Sequence, residues 1–377
     1  MIPYGRQAID EEDKKAVTET LESDFLTTGP KIQEFEKKFA KYVGAKYAVA
    51  VSSGTAALHV ACLSVGLKQR DELITSPMTF AASANCALYC NAKPVFVDIK
   101  ANGLIDEELI EAGITVNTKI IIPVHYAGLP CNLKKIKGIA DKHNLIVVED
   151  ACHALGAEYE NTKIGDCAYS DMTVFSFHPV KHITTGEGGM ITTNSEEIYQ
   201  KLLLLRSHGI TKNQNNLLNK EEGSWFYEMQ ELGFNYRITD FQCALGISQL
   251  NKIDQFIERR REIAKKYDEA FAGIGEIETL KQAGESKNSY HLYVIKVENK
   301  EKRLELFNCL KEKDIFCQVH YIPVHWHPYY QKLGYEKEIC LRAGEFYEKI
   351  ISLPMYPGLK NEEQEKVIDV IKNFYAK

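Results

Sequence analysis

No stretch of the 377-residue sequence approaches the ~18 consecutive apolar residues that a membrane-spanning helix needs, so no membrane partner is expected. The opening MIPYGRQAIDEEDKK lacks the basic and apolar regions of an export signal, and a cytoplasmic location is the expectation. A surplus of positive charge is missing too. Lys and Arg number 46 against 52 Asp and Glu, and the net charge of −6 is spread with both signs interspersed, so no nucleic-acid footprint is visible. An anionic ligand would have to be met by local donors. The 10 cysteines follow no paired spacing; Cys86 and Cys90 are nearest to each other, in a segment that reads as helical. In a reducing compartment they are small core residues, not a disulfide framework. No internal repeat or low-complexity linker breaks the chain.

What is present is an ordinary soluble composition, 45% hydrophobic and 26% charged, long enough for two domains. An amphipathic segment from Glu11 to Leu21 leads through SDFLTTGP to a second helical pattern, KIQEFEKKFAKYVG, which closes at Gly44 with lysines near its end. Then YAVAVSS, ELITSP, AKPVFVDI, TKIIIPVHY, NLIVVEDA and MTVFSFH read as strands, alternating with helical stretches such as AALHVACLSVG, FAASANCALYC and NLKKIKGIADKH. Strands separated by helices predict crossover units on a mainly parallel sheet covered on both faces, with ligands at the carboxyl ends of the strands. Ser52, Ser53, Asp150 and His178 fall at such ends. One long helical pattern, roughly Thr239 to Phe271, leaves this region. The patterns YHLYVIKV, Lys302 to Lys313, FCQVHY and a last helix from Glu362 then predict a smaller α+β domain. The division expected is residues 1–245, with the N-terminal segment, and 246–377, with the long helix as connector.

Three short stretches carry chemistry. VSSGTAALHV feeds Ser53, Gly54 and Thr55 from a strand into a helix start, where hydroxyls, backbone N–H groups and the helix dipole suit a phosphate; the same residues would also make a plain helix cap. The Gly-Lys-Ser/Thr of a P-loop and the G-x-G-x-x-G of dinucleotide sites are both absent. LIVVEDACHALGA ends a strand on Asp150, three residues before His153, a carboxylate that could hold a proton on a heteroaromatic nitrogen or simply cap a helix. FSFHPVKHITTGEGGM places Lys181 between a buried-strand pattern and a Gly-rich polar turn, although most lysines are solvated surface residues because desolvating an ammonium is costly. Together, a phosphate cradle, a strand-end aspartate and a strand-end lysine are what pyridoxal 5′-phosphate (PLP) requires.

With GTAAL, EDACHA, SFHPVKHITTGEGG and GFNYRITDFQCALG in this order, nearly the whole chain resembles the DegT/StrS family of nucleotide-sugar aminotransferases. The resemblance implies the type I PLP-dependent transferase fold of aspartate aminotransferase: a large α/β domain with a mainly parallel sheet flanked by helices, and a smaller C-terminal α+β domain. It implies Lys181 on the PLP aldehyde, Asp150 on the pyridine nitrogen, His153 near the phenolic oxygen and Phe80 against the ring face. Ser53, Gly54, Thr55 and Ser176 would lie at the phosphate, with Asn235 reaching the phosphate of a neighbouring subunit in a homodimer with shared sites. Tyr4, Asp24, Phe25, Leu26, Thr27, Ser53, His320, Tyr321, Ile322 and Pro323 match segments that line the nucleotide-sugar pocket. Family dehydratases carry histidine in place of the lysine, and regulatory relatives have lost it, so Lys181 points to transamination. FSFHPVKHITT, LRSHGI and QVHYIP are most similar to the sugar 4-aminotransferases, and among these to those of pseudaminic acid biosynthesis, while Glu187 stands where the 3-aminotransferase relatives tend to have Asp. The implied substrates are L-glutamate and a UDP-linked 4-keto-6-deoxy-N-acetylhexosamine, the alternative being another nucleotide-linked keto sugar, of different stereochemistry or dTDP-linked. His320, His325 and His327 could in principle ligate zinc, but no Cys or carboxylate nearby completes a set and prolines imply a loop, so no metal is expected.

Overall fold

The computed structural model describes all residues except 220–222, 283, 285 and 377. In chain order the first strands are Ile2–Pro3 (β1), Tyr47–Val51 (β2), Glu72–Thr75 (β3), Lys93–Phe96 (β4), Thr118–Ile122 (β5) and Ile146–Asp150 (β6). The short pair Glu158–Tyr159 (β7) and Thr162–Lys163 (β8) follows, then Met172–Ser176 (β9) and Gly189–Thr193 (β10). Seven of these form one sheet in the order β2-β10-β9-β6-β5-β3-β4. Only β10 is reversed, antiparallel to both β2 and β9, while the pairs from β9 across to β4 are parallel. Along β5, Ile121 packs into one apolar cluster while Ile120 and Ile122 pack into the other, and along β10 Met190 and Ile191 divide the same way. Alternate side chains serve opposite faces, which is why these strands read as unbroken Val/Ile runs.

Helices cover both faces: Glu11–Leu21 (α1), Pro30–Val43 (α2), Gly54–Ser64 (α3), Ala82–Tyr89 (α4), Leu133–His143 (α5) and Glu196–Arg206 (α6). On one side α2 inserts the fully buried Phe35 and Phe39 against Phe175 and Phe177, and it ends at Gly44 with φ 89°, the left-handed close its sequence foretells. On the other side α3 and α4 bury Ala, Leu and Cys side chains. All ten cysteines are free, and all but Cys152 and Cys309 are buried.

The helical pattern expected as one piece from Thr239 to Phe271 is two helices, Asp240–Leu250 (α7) and Ile253–Phe271 (α8). The chain turns at Asn251 and Lys252, and the turn lets the Lys252 ammonium reach Asp10 and Asp13 of the capped start of α1 at 2.7 and 2.8 Å. α7 in turn buries Asp240, whose two oxygens accept from the N–H groups of Gly29 and Lys31 at the start of α2. Beyond α8, Glu278–Thr279, Tyr293–Lys296 and Ile350–Leu353 form an antiparallel three-stranded sheet with its own apolar cluster, which Ile2 joins. In FCQVHY only Phe316 is in a strand: Ile315–Phe316 pairs in parallel with β1, and Gln318 makes a lone bridge to Ser352. This pairing, together with Met355 N–H donating to the Tyr4 carbonyl, holds the start of the chain beside the site described next.

Candidate active site

A cavity of about 470 Å³ opens where β2, β6 and β9 end, with Ser53, Gly54, Thr55, Asp150, Ser176 and Lys181 in its wall. Its first feature is the start of α3. Ser53 is extended and caps the helix by accepting from Ala56 N–H at 3.1 Å, and its carbonyl takes Ala57 N–H, leaving the N–H groups of Gly54 and Thr55 beside the cavity. The backbone packs too closely here for side chains. A Cβ on Gly54 would stand 2.9 Å from the Ser176 Cβ, and one on Gly189 would stand 2.4 Å from the Ser53 carbonyl oxygen.

Asp150 ends β6 and is 5% exposed. Its Oδ1 accepts from Cys152 N–H at 3.1 Å and its Oδ2 from the Ser83 hydroxyl at 2.6 Å, and Thr79 lies 2.7 Å behind Ser83. Each oxygen keeps a lone pair free for a further donor. Lys181 sits five residues past the end of β9, half-buried. Burial pulls its ammonium below the ordinary lysine value, against the smaller opposite pull of Cys152 and Asp150. An amine so placed is easier to deprotonate than a surface lysine.

His153 is buried, its Nε2 lies 2.9 Å from the Tyr321 hydroxyl, and its Nδ1 has no partner among the described residues. Burial, then the Lys181 charge, pushes its pKa well below the usual histidine range, so it is neutral. His291 packs against it with ring centroids 4.3 Å apart. Phe80 is 61% exposed at the cavity edge, its ring 6.3 Å from that of Tyr321. Tyr4, His320 and Tyr321 complete the side that faces the smaller sheet, with the Tyr4 and His320 rings 5.2 Å apart.

These residues suit PLP. The crowded glycine turn with free N–H groups fits a phosphate, Asp150 has lone pairs to spare for a pyridinium N–H, the unpartnered His153 Nδ1 meets an oxygen, and Lys181 meets an aldehyde.

Other expected residues lie elsewhere in the chain. Asp24 and Phe25 border a separate cleft beside α1 and Asp240. The Leu26 carbonyl accepts from Asp240 N–H and Thr27 bridges Thr239, while the side chains of Phe25 and Leu26 are about half exposed. Ile322 is exposed, Pro323 is buried, and neither is in the cavity wall. Asn235 is exposed and bridges Ser207, next to Tyr236, whose carbonyl accepts from Ser52 N–H at the cradle. His325 reaches the Lys337 carbonyl, away from His320.

Ser83, Thr79, Cys152 and His291 were not singled out by sequence reading. Ser83 falls in a helical pattern and meets Asp150 across 67 residues of chain, a contact that depends on the sheet order β6-β5-β3. His291 reads as one residue of a strand pattern.

A family model described as the DegT/DnrJ/EryC1/StrS aminotransferase family matches residues 7–372. The chain belongs to this family. It is a PLP-dependent sugar aminotransferase. It is 44% identical to the uncharacterized protein MJ1066 of Methanocaldococcus jannaschii, over 100% of this chain and 98% of that one. Identity is 42% to the spore coat polysaccharide biosynthesis protein SpsC of Bacillus subtilis, over 99% and 96%. It is 40% to a UDP-4-amino-4,6-dideoxy-N-acetyl-beta-L-altrosamine transaminase of Campylobacter jejuni, over 100% and 98%. Among solved structures, Helicobacter pylori PseC, an aminotransferase of pseudaminic acid biosynthesis, superposes with a TM-score of 0.93 at 34% identity, covering 100% of this chain and 99% of that one. The sugar aminotransferase Spr1654 of Streptococcus pneumoniae, solved in PMP and PLP forms, is 32% identical; its PMP form has a TM-score of 0.94, over 100% and 99%. The expected fold class thus holds, the sheet being mixed through β10 alone.

Proposed function

We propose that this aminotransferase moves the amino group of L-glutamate to C4 of a UDP-linked 4-keto-6-deoxy-N-acetylhexosamine, giving UDP-4-amino-4,6-dideoxy-N-acetyl-beta-L-altrosamine. The observation that carries transamination is the half-buried Lys181 facing Asp150 and the glycine cradle in one cavity. The choice of sugar is supported by the likeness to the Campylobacter transaminase and to PseC.

When bound, PLP supplies an aldehyde for the incoming amine and a ring that accepts the electron pair released at the substrate carbon. Lys181 tethers the cofactor. Once free of the tether, its amine would be the base placed to take the proton at the substrate carbon and to give it back in the second half-reaction. Asp150, aimed by Ser83 and Cys152 N–H, holds the ring proton. Ser53, Gly54, Thr55 and Ser176 would bind the phosphate, His153 would face the phenolic oxygen, and Phe80 would lie against the ring. Tyr4, His320 and Tyr321 of the cavity wall would take the nucleotide sugar, with Ile322 and Pro323 carrying that stretch on beyond the wall. Asn235 and the turn from Asp24 to Thr27, exposed and off the wall of their own cavity, serve the site of a second subunit, which makes the homodimer the working unit. The reaction is placed in the cytoplasm. Residues 1–245 and 246–377 act as the cofactor-binding and the smaller unit.

Mass spectrometry and NMR of products from glutamate and a panel of UDP- and dTDP-linked 4-keto sugars tests this. Amination at C4 of the UDP-linked N-acetylhexosamine, in preference to the rest, is the expected result. SpsC, at 42% identity, supports the second reading, a different nucleotide-linked keto sugar, and preferential amination of another panel member selects it.

A further inference from the structure

We propose that Tyr321 is a positioning residue: its hydroxyl donates to Nε2 of His153 and so places the imidazole proton on Nδ1, making a buried donor for an oxygen of the bound cofactor. The two groups are 2.9 Å apart, and their rings are 19° from parallel with centroids 5.9 Å apart. Among the described residues His153 is the sole hydrogen-bond partner of this hydroxyl.

A neutral imidazole carries one N–H and a phenol one O–H, so the contact has two forms. If Nε2–H donates to the tyrosine oxygen, the phenol proton and the Nδ1 lone pair both go unmet. If the phenol donates, the Nδ1–H and the lone pairs of the phenol oxygen are left over. Each form leaves one donor and one acceptor over, but the phenol is the stronger donor and the imidazole nitrogen the stronger acceptor, so the second form makes the better bond and leaves over the groups whose hydrogen bonds are worth less. Charging is no escape, because burial keeps His153 neutral and Tyr321 protonated.

The remaining Nδ1–H points to a ligand. Among the described residues Nδ1 is without a partner, His153 is 5% exposed, and the residue lines the Lys181 cavity. The titratable groups facing it are Lys181, His182, His291, His320 and Tyr321. None supplies a hydrogen-bond acceptor to Nδ1. A ligand oxygen does. That this oxygen is the phenolic oxygen of PLP rests on the proposed placement of the cofactor, whereas the tautomer rests on the protein alone. A donor there draws charge from the phenolic oxygen, and so lowers the pH at which the lysine–cofactor nitrogen loses its proton.

Two measurements on the full chain test the proposal. In cofactor-free protein with 15N-labelled histidine, the His153 ring signals, assigned by their loss in His153→Asn, should show a protonated Nδ1 and a bare Nε2. Tyr321→Phe should shift the population toward Nε2–H. A wild-type Nε2–H tautomer, or one unchanged in the variant, overturns the role of Tyr321. In protein loaded with PLP, the pH midpoint of the visible absorption band should rise in Tyr321→Phe by roughly one unit, the worth of one hydrogen bond to a charged group. An unmoved midpoint beside a shifted tautomer overturns the assigned acceptor. A wild-type protein that develops no band with PLP sinks the cofactor placement instead, and the nitrogen spectrum still decides the tautomer.

Discussion

A carboxylate at the floor of a cavity works only while its oxygens are aimed, and Asp150 is aimed twice, by the Cys152 N–H and by the Ser83 hydroxyl. An amide at this position would keep the shape and lose the charge that holds a ring proton. Asp150→Asn should therefore leave the fold intact and slow turnover at least about a hundredfold, or ~3 kcal/mol of transition-state stabilisation, in steady-state assays with glutamate and keto sugar. Near-normal turnover would remove Asp150 from the mechanism. Ser83→Ala should cost about tenfold in the same assay, since one of the two bonds survives. The identity of Asp150 was readable from its place at the end of a Val-rich strand. Ser83 was not, because a serine inside a helical pattern carries no sign of what a strand end 67 residues on will bring against it.

Among the elements, the pairing of β10 with β2 decides the shape of the cradle. Gly189 opens β10 opposite Val51, and a Cβ there would meet the backbone of Ser53 and Gly54, which cannot swing aside as a side chain could. Gly189→Ala should lower the stability of the cofactor-free protein by about 2 kcal/mol, read by chemical denaturation, and weaken PLP binding in a spectrophotometric titration. Unchanged affinity for PLP would mean that the cradle does not hold the phosphate. Strands and helices of this region were legible because apolar runs, caps and glycine stops agree locally, as at α2 and Gly44. The break between α7 and α8 was not, since a single Asn without Gly or Pro is a weak stop signal and the Lys252 contacts to Asp10 and Asp13 at the start of α1 are made only in the folded chain. Nor was β1, a two-residue strand whose partner lies at Ile315–Phe316.

Across the whole molecule, His153, His182 and His291 are buried around Lys181, and burial holds each pKa well below the ordinary value of 6.5. The unfolded chain then binds protons that the folded one refuses. Their contribution to stability is full above about pH 6.5 and is lost progressively as pH falls below it, by about 1.4 kcal/mol per pH unit for each histidine. Urea unfolding of the cofactor-free protein between pH 7.5 and 5 should show this loss, and a flat profile would contradict the neutral histidine cluster. The assembly is open to test as well: mixing Lys181→Ala with a disabling Asn235 variant under subunit exchange should restore up to roughly a quarter of wild-type activity, because half the dimers are mixed and each holds one intact site. Activity that stays at background after verified exchange would place Asn235 outside the neighbour's site. The residue types needed for PLP could be read from three short motifs, yet their meeting in one cavity depends on strand order, which places β9 beside β6 and both within reach of α3. All of it converges on one amine. Borohydride reduction of the protein loaded with PLP, followed by proteolysis and peptide mass spectrometry, should find the cofactor fixed to the peptide that carries Lys181, whereas a label on any other lysine, or no retained cofactor, would contradict the account.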